Sequence, residues 1–145
     1  MIAVDTNILV YAHRAEMPQH LRAKTKVTTL AEGSSEWAIP WPCIHEFLSA
    51  VTRRPGAFRI PTPLSKAISQ VEAWQESPAL VLLGETPSYW RTLQAILTKG
   101  DVTGPRVHDA RIAAICLDHG VSELWTADRD FGRFPDLRVV NPLFA

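Results

Sequence analysis

At 145 residues, 46% hydrophobic and 21% charged, the chain has the length and apolar content of one ordinary domain with a real core. Fifteen basic residues balance fifteen acidic ones, and a net charge of zero excludes both a disordered polyelectrolyte and a broadly basic nucleic-acid arm. No apolar run approaches the roughly 20 residues of a membrane span, and the N-terminus lacks the basic start and small-residue cleavage site of a secretory signal, so a cytoplasmic location and no membrane partner are expected.

The first stretch, MIAVDTNILVYAHR, sets up the rest. Ile2, Ala3 and Val4 are too short a run for a helix and suit a buried strand. Asp5, Thr6 and Asn7 follow, and a second apolar run begins at Ile8. Such polar residues cap helices, so the plain reading is strand, tight turn, helix. The acid nonetheless comes first, directly off the strand, where parallel sheets bind ligands at their C-terminal rim. Whether Asp5 is a cap or a site residue depends on whether other acids reach that rim.

Pro18 suits the first turn of a second helix and Gly33 its stop, with Ala23, Val27, Leu30 and Ala31 as the apolar stripe. His20, Arg22, Lys24 and Lys26 make its polar side, which reads as a solvated face. Trp37, Ala38 and Ile39 form a short strand closed by Pro40 and Pro42. Pro42 can start the next helix, whose stripe is Ile44, Phe47, Leu48 and Val51. Glu46 flanks that stripe on the side of Cys43 and Ala50, while His45 points about 100° away, so the two do not share a metal. Cys43 and Cys116 both fall in helical segments and read as reduced core thiols.

Arg53, Arg54 and Arg59 surround Pro55 and Gly56 in a basic turn, read as solvated. Pro63 opens a helix striped by Leu64, Ile68, Val71 and Trp74. Leu80–Leu83, ended by Gly84, is a continuous apolar run that suits a fully buried parallel strand. Trp90, Leu93, Ile96 and Leu97 mark another helix, stopped at Gly100. In GPRVHDARIAAICLDHG, Pro105 and Gly120 frame a helix whose small residues allow close packing. Asp109 sits near its start, where the helix dipole alone favours an acid by about 0.3–1 kcal/mol. Glu123–Thr126 is the next strand, and Asp128 emerges just past it. A last turn and strand, Asp136 to Val140, complete an order of helices between short strands. That order means an α/β fold, with about five strands in a parallel sheet and helices on both faces.

Four acids then invite a joint reading. Asp5 and Asp128 follow strands, and Glu46 and Asp109 stand near helix starts, so all can face one cleft at one sheet edge. Carboxylates without matched cations repel and call for a metal ion. Hard oxygen donors without a His or Cys set select Mg²⁺ or Mn²⁺ over zinc. HExxH, CxxC and a Gly-rich phosphate loop are all absent from the sequence, so zinc, redox and nucleotide-phosphate sites lack support.

The chain resembles the PIN domain and, within it, the VapC-like toxins of bacterial toxin–antitoxin pairs. VDTNILVYA, the acid Glu46 after strand two, HDARIAAIC and LWTADRDF carry the likeness, which spans residues 2 to about 141; one PIN domain over 1–145 is the expected organisation. The resemblance implies a metal-dependent endoribonuclease with Asp5, Glu46, Asp109 and Asp128 as the catalytic acids. Among them Asp5, Asp109 and Asp128 are expected to hold Mg²⁺, or Mn²⁺ in its place. Thr6, Asn7 and Thr126 match the polar residues that support them, and Asp130 is an outer supporting acid. The resemblance also implies an RNA substrate, a cognate VapB-like antitoxin whose tail covers the cleft, and a homodimer. The expected chemistry is in-line attack of an activated water on phosphorus, leaving a 5′-phosphate and a 3′-hydroxyl. Arg14, Arg53, Arg54, Arg106, Arg111 and Arg129 are the candidates for phosphate contacts.

Two other classes fit less well. A phosphoacceptor domain like the response regulators also clusters acids at strand ends, but Leu80–Gly84 offers no Asp and the last strands no lysine. A non-catalytic PIN-like binding module has no use for four mutually repelling acids. Metal-dependent RNA cleavage lost in Asp5→Asn separates the nuclease from that module.

Overall fold

A computed structural model describes residues 1–54 and 56–144; Pro55, at the centre of the basic turn, lies outside them. Five short parallel strands form one sheet: β1 (Ile2–Val4), β2 (Trp37–Pro40), β3 (Leu80–Leu83), β4 (Glu123–Trp125) and β5 (Val139–Val140). Their spatial order is β3-β2-β1-β4-β5. Six helices connect them: α1 (Thr6–His13), α2 (His20–Glu32), α3 (Trp41–Thr52), α4 (Leu64–Gln75), α5 (Tyr89–Gly100) and α6 (Arg106–Asp118), with a 3-10 turn at Arg129–Arg133 before β5.

Right-handed crossovers dictate where the helices go. The steps from β1 to β2 to β3 run one way across the sheet and place α1–α4 on one face. The return from β3 to β4 runs the other way and places α5 and α6 on the opposite face. The helix contacts follow that division, α1 packing on α2 and α3, α3 on α4, and α5 on α6. The direction reverses between β1 and β4, and a sheet of this kind opens its ligand crevice at the strand C-ends beside such a reversal.

Ala3 and Val4, Ala38 and Ile39, and Leu124 are buried at the centre of the sheet, under Ile8, Leu9, Phe47 and Val51 on one side and Ile112, Ala113 and Ile115 on the other. The small residues of α6, Ala110, Ala113 and Ala114, are all fully buried. Gly120 ends α6 at φ 67°, with Val121 N–H on Cys116 O and Gly120 N–H on Leu117 O, the two bonds of a Schellman close.

Two local expectations need correction, on the burial of Leu80–Leu83 and on the start of α2. Leu80–Leu83 is an edge strand paired only to β2; Leu80, Val81 and Leu82 are half-buried and Leu83 alone is buried. An unbroken apolar run reads the same at an edge and at the centre, and the reversal at β1 leaves β3 outermost. Pro18 lies in a turn, and α2 begins two residues later at His20. α5 stops at Gly100 as expected, and the left-handed position after it falls to Asp101 (φ 47°), a residue type that tolerates it.

Candidate active site

Asp5 leaves β1 at the reversal point and answers both sequence readings, because it caps α1 and also faces the crevice. Its Oδ1 accepts the Thr6 N–H at 2.7 Å, and its Oδ2 accepts the Thr126 hydroxyl at 2.7 Å. Longer contacts come from the Cys43 thiol (3.5 Å) and the Asn7 amide (3.4 Å). Each oxygen thus takes one short bond and one long, weak one. Burial pushes the Asp5 carboxyl up to about 6; the Thr126, Thr6 and Cys43 bonds pull against that, and Glu46 adds to it.

Thr126 follows β4 and is 2% exposed. Besides holding Asp5, its oxygen accepts the Asp128 N–H and the Asn7 amide, both at 3.0 Å. Asn7 Oδ1 in turn accepts the Ala127 N–H at 3.0 Å. The turn after β1 and the turn after β4 are therefore laced together side chain to backbone. Asp128 caps the 3-10 turn, taking the Asp130 N–H on Oδ1 at 2.9 Å.

Glu46 is exposed on α3, and the Thr6 hydroxyl donates to its Oε2 at 2.8 Å. Asp109, in the first turn of α6, is half-buried. Burial raises its pKa, and the charges of Asp128, Glu46 and Asp130 raise it further. Arg106 opposes them; it pairs with Asp130 at 3.4 Å. These charges reach Asp109 from α3 and from the turn after β4. Hydrogen bonds thus join Asp5, Thr6, Glu46, Asn7, Thr126, Asp128 and Asp130 into one network, and charge couples Asp109 to Glu46, Asp128 and Asp130.

Among the described residues, no three His, Cys, Asp or Glu side chains close into a ready coordination shell. The donors are carboxylate and hydroxyl oxygens, and the acids acting on Asp109 outweigh Arg106, which opposes them. That set fits a hard divalent cation and no soft metal.

Sequence reasoning missed the part of Cys43, whose thiol lies on Asp5 and is pushed well above its ordinary range, first by burial and then by that acid. Its place three residues before Glu46, on the same side of α3, was the available signal. The arginines divide. Arg14 is buried and structural, donating to Thr62 (2.8 Å) and Ile60 O (2.7 Å), pairing with Glu16 and lying 4.2 Å over the Phe58 ring. Arg106 and Arg111 stay half-exposed.

A crevice of acids at the reversal point of a small parallel sheet, tied by hydroxyls across β1 and β4, is the architecture of a PIN domain. The family model described as PIN domain matches residues 2–137, and the chain belongs to that family. Among curated relatives, it is 33% identical over 143 residues to Ribonuclease VapC43 of Mycobacterium tuberculosis, covering 99% of this chain and 96% of that protein. Ribonuclease VapC31 of the same organism is 30% identical over 142 residues, covering 98% and 99%. Of solved structures, Mycobacterium tuberculosis VapC20, a Sarcin-Ricin loop cleaving toxin, superposes with a TM-score of 0.66 at 20% identity, over 91% of this chain and 93% of that one. VapBC2 of Rickettsia felis, bound to a promoter DNA fragment, gives 0.67 at 20% identity, over 97% and 98%. Both show the same fold.

Proposed function

We propose that this protein is the ribonuclease toxin of a toxin–antitoxin pair, cutting RNA with a divalent ion held by Asp5, Asp109 and Asp128. Asp109 carries the reading. Beyond its burial, the charges of Asp128, Glu46 and Asp130, acids carried by other segments, raise its pKa further. Such repulsion persists in a fold when a cation or a cationic partner relieves it. The full-length similarity to VapC ribonucleases supports the same conclusion.

Mg²⁺ or Mn²⁺, when bound, supplies positive charge to the scissile phosphate and lowers the pKa of water there. The chain's own residues set the frame. Thr126 and the Thr6 N–H fix both oxygens of Asp5, so that carboxylate needs no reorganisation. Asn7 locks the β4 turn that presents Asp128. Thr6 points one Glu46 oxygen, and that exposed carboxylate is placed to orient a water and take its proton. The product ends are a 5′-phosphate and a 3′-hydroxyl, and no 2′-hydroxyl takes part.

An antitoxin that enters this crevice needs a guanidinium, since bidentate Arg–carboxylate pairing replaces the cation. We assign that role to the product of an adjacent gene, whose co-expression is expected to relieve growth arrest. The nuclease itself is tested on single-stranded RNA. Cleavage is expected in Mg²⁺ or Mn²⁺, lost in EDTA and lost in Asp5→Asn, with fragments sequenced for 5′-phosphate ends. Equal cleavage by wild type and Asp5→Asn preparations removes the assignment.

A further inference from the structure

The C-terminal edge of the sheet has a second half, over β2 and β3, that the acidic crevice leaves unused. β2 delivers Trp41 there, between Pro40 and Pro42, whose rings fix the backbone on both sides. Trp37, four residues earlier, is fully buried, whereas Trp41 stays 40% exposed. Its indole lies beside Gly84, just past β3, where an added Cβ would stand 3.8 Å from Cδ1. One turn along α3 the His45 ring sits 6.4 Å from the indole, tilted by 53°. Arg111 reaches the same ground from α6, placing Nε and Nη2 on Glu85 Oε1 at 2.7 and 2.6 Å. The charges of Arg111 and His45 both act on Glu85, and those of Arg111 and Glu85 on Tyr89.

This cluster adjoins the acids through α3 itself. His45 and Glu46 are consecutive, about 100° apart around the helix. Glu46 turns to Thr6 and the crevice, and His45 to Trp41. A strand of RNA whose phosphate lies among the acids can therefore reach the indole with a neighbouring nucleotide, around α3 from Glu46 to His45. Every base offers a π-face, and an exposed rigid indole beside an imidazole is a stacking surface. On a chain with no net charge, a phosphate also needs a local cation. Arg111 is 39% exposed and spends two nitrogens on one carboxylate oxygen, a geometry that phosphate can share or replace.

We propose that Trp41 and His45 form a platform for one unpaired base next to the scissile bond, with Arg111 gripping the adjoining phosphate. The proposal rests on the ribonuclease reading and gives it a substrate class, single-stranded RNA with an unstacked base. Stacking tolerates any base, so the platform demands an open strand and sets no letter.

The test uses a short single-stranded oligoribonucleotide cut by the wild type, and a series of it with one abasic nucleotide moved through each position. Trp41→Ala is expected to raise KM about 10-fold or more with kcat little changed, and Trp41→Phe to recover most of the loss. One abasic position should weaken the wild type by a similar factor and leave Trp41→Ala no weaker than it already is. Anisotropy with the same oligonucleotides on Asp128→Asn protein reads binding without cleavage. Equal KM and equal binding for wild type and Trp41→Ala, in a protein that still cleaves, overturns the platform and leaves the nuclease standing. A wild type that never cleaves sinks the nuclease, while the abasic series still decides the stacking. Sedimentation guards a third outcome: if Trp41→Ala turns a dimer into a monomer at unchanged RNA affinity, the indole belongs to a protein interface and the proposal falls.

Discussion

Helix α6 carries an aspartate at each end, and the two behave oppositely to the order its dipole favours. Asp109 sits in the first turn, where backbone N–H groups favour an anion, yet its pKa is raised by burial and by Asp128, Glu46 and Asp130. Asp118 is the last helical residue, where the dipole disfavours an anion, yet its pKa is lowered. Burial pulls it upward, but hydroxyls of Thr86 (2.7 Å), Thr92 (2.6 Å) and Ser88 (3.3 Å) outweigh that. Asp118 ties the start of α5 to the end of α6 and is complete within the chain. Asp109 is incomplete within the chain. An acid provided with donors is architecture, and an acid provided with other acids waits for a cation.

The comparison breaks most sharply in catalysis. Asp109→Asn is expected to cut kcat on single-stranded RNA by roughly a thousandfold or more, as loss of a charge acting on the transition state does. Asp118→Asn should cleave at close to the wild-type rate under conditions where both are folded. Similar activity for Asp109→Asn and Asp118→Asn, measured side by side with circular dichroism to confirm folding, would erase the distinction.

Acidity gives the next largest effect, through Asp5. Its carboxyl titrates at about 6 in the fold against 3.8 unperturbed, so between those values the folded chain holds a proton that the unfolded chain has lost. Stability therefore falls as pH rises through that window, by roughly 3 kcal/mol in the metal-free protein, and levels off above about 6. Metal affinity and cleavage run the other way, rising with pH through about 6 as the carboxylate becomes available. Urea melts in EDTA from pH 4 to 7.5, beside single-turnover rates over the same range, read both. A metal-free stability that rises through this window would contradict the buried, repelled state of Asp5.

The same contrast explains what was legible in the sequence. Each strand is a short apolar run closed by Pro, Gly or a polar residue, and the helices carry stripes, so element order followed; the stripe expected of α4 fails at Leu64 and Ile68, which are exposed, while Ala67 and Trp74 are buried. Acids directly off strands or at helix starts were legible too, because connectivity alone delivers them to one rim. Side-chain direction was not. Arg14 and Arg111 look alike in sequence, but the 58–62 segment folds over Arg14 and buries it, while Arg111 ends on an exposed Glu85. Nothing local says that Thr86, Ser88 and Thr92 all turn to Asp118, since that depends on how α5 lies on α6. The edge position of β3 was hidden for a like reason, as composition does not report how many neighbours a strand has.

Removing the architectural acid has a moderate cost. Asp118→Ala leaves three hydroxyls without their shared acceptor and is expected to lose about 1–3 kcal/mol in urea denaturation, with and without Mn²⁺ alike. A loss that vanishes on adding Mn²⁺ would make Asp118 a second cation-seeking acid and dissolve the contrast.

The smallest effect is the most diagnostic, because it has the opposite sign. If Asp109 is held against burial and like charge, neutralising it relieves the metal-free fold. Asp109 suits this test better than Asp5, which caps α1, or Asp128, which caps the 3-10 turn, because its substitution disturbs no such cap. Asp109→Asn should therefore melt a few degrees above wild type in EDTA, while losing its activity. Mn²⁺ at 100 times its dissociation constant should then stabilise wild type by about 2.7 kcal/mol through mass action. The variant, short one ligand, should gain much less, so the order of melting temperatures reverses between EDTA and Mn²⁺. A variant that melts lower than wild type in both conditions would place Asp109 with Asp118, as an acid the fold needs for itself.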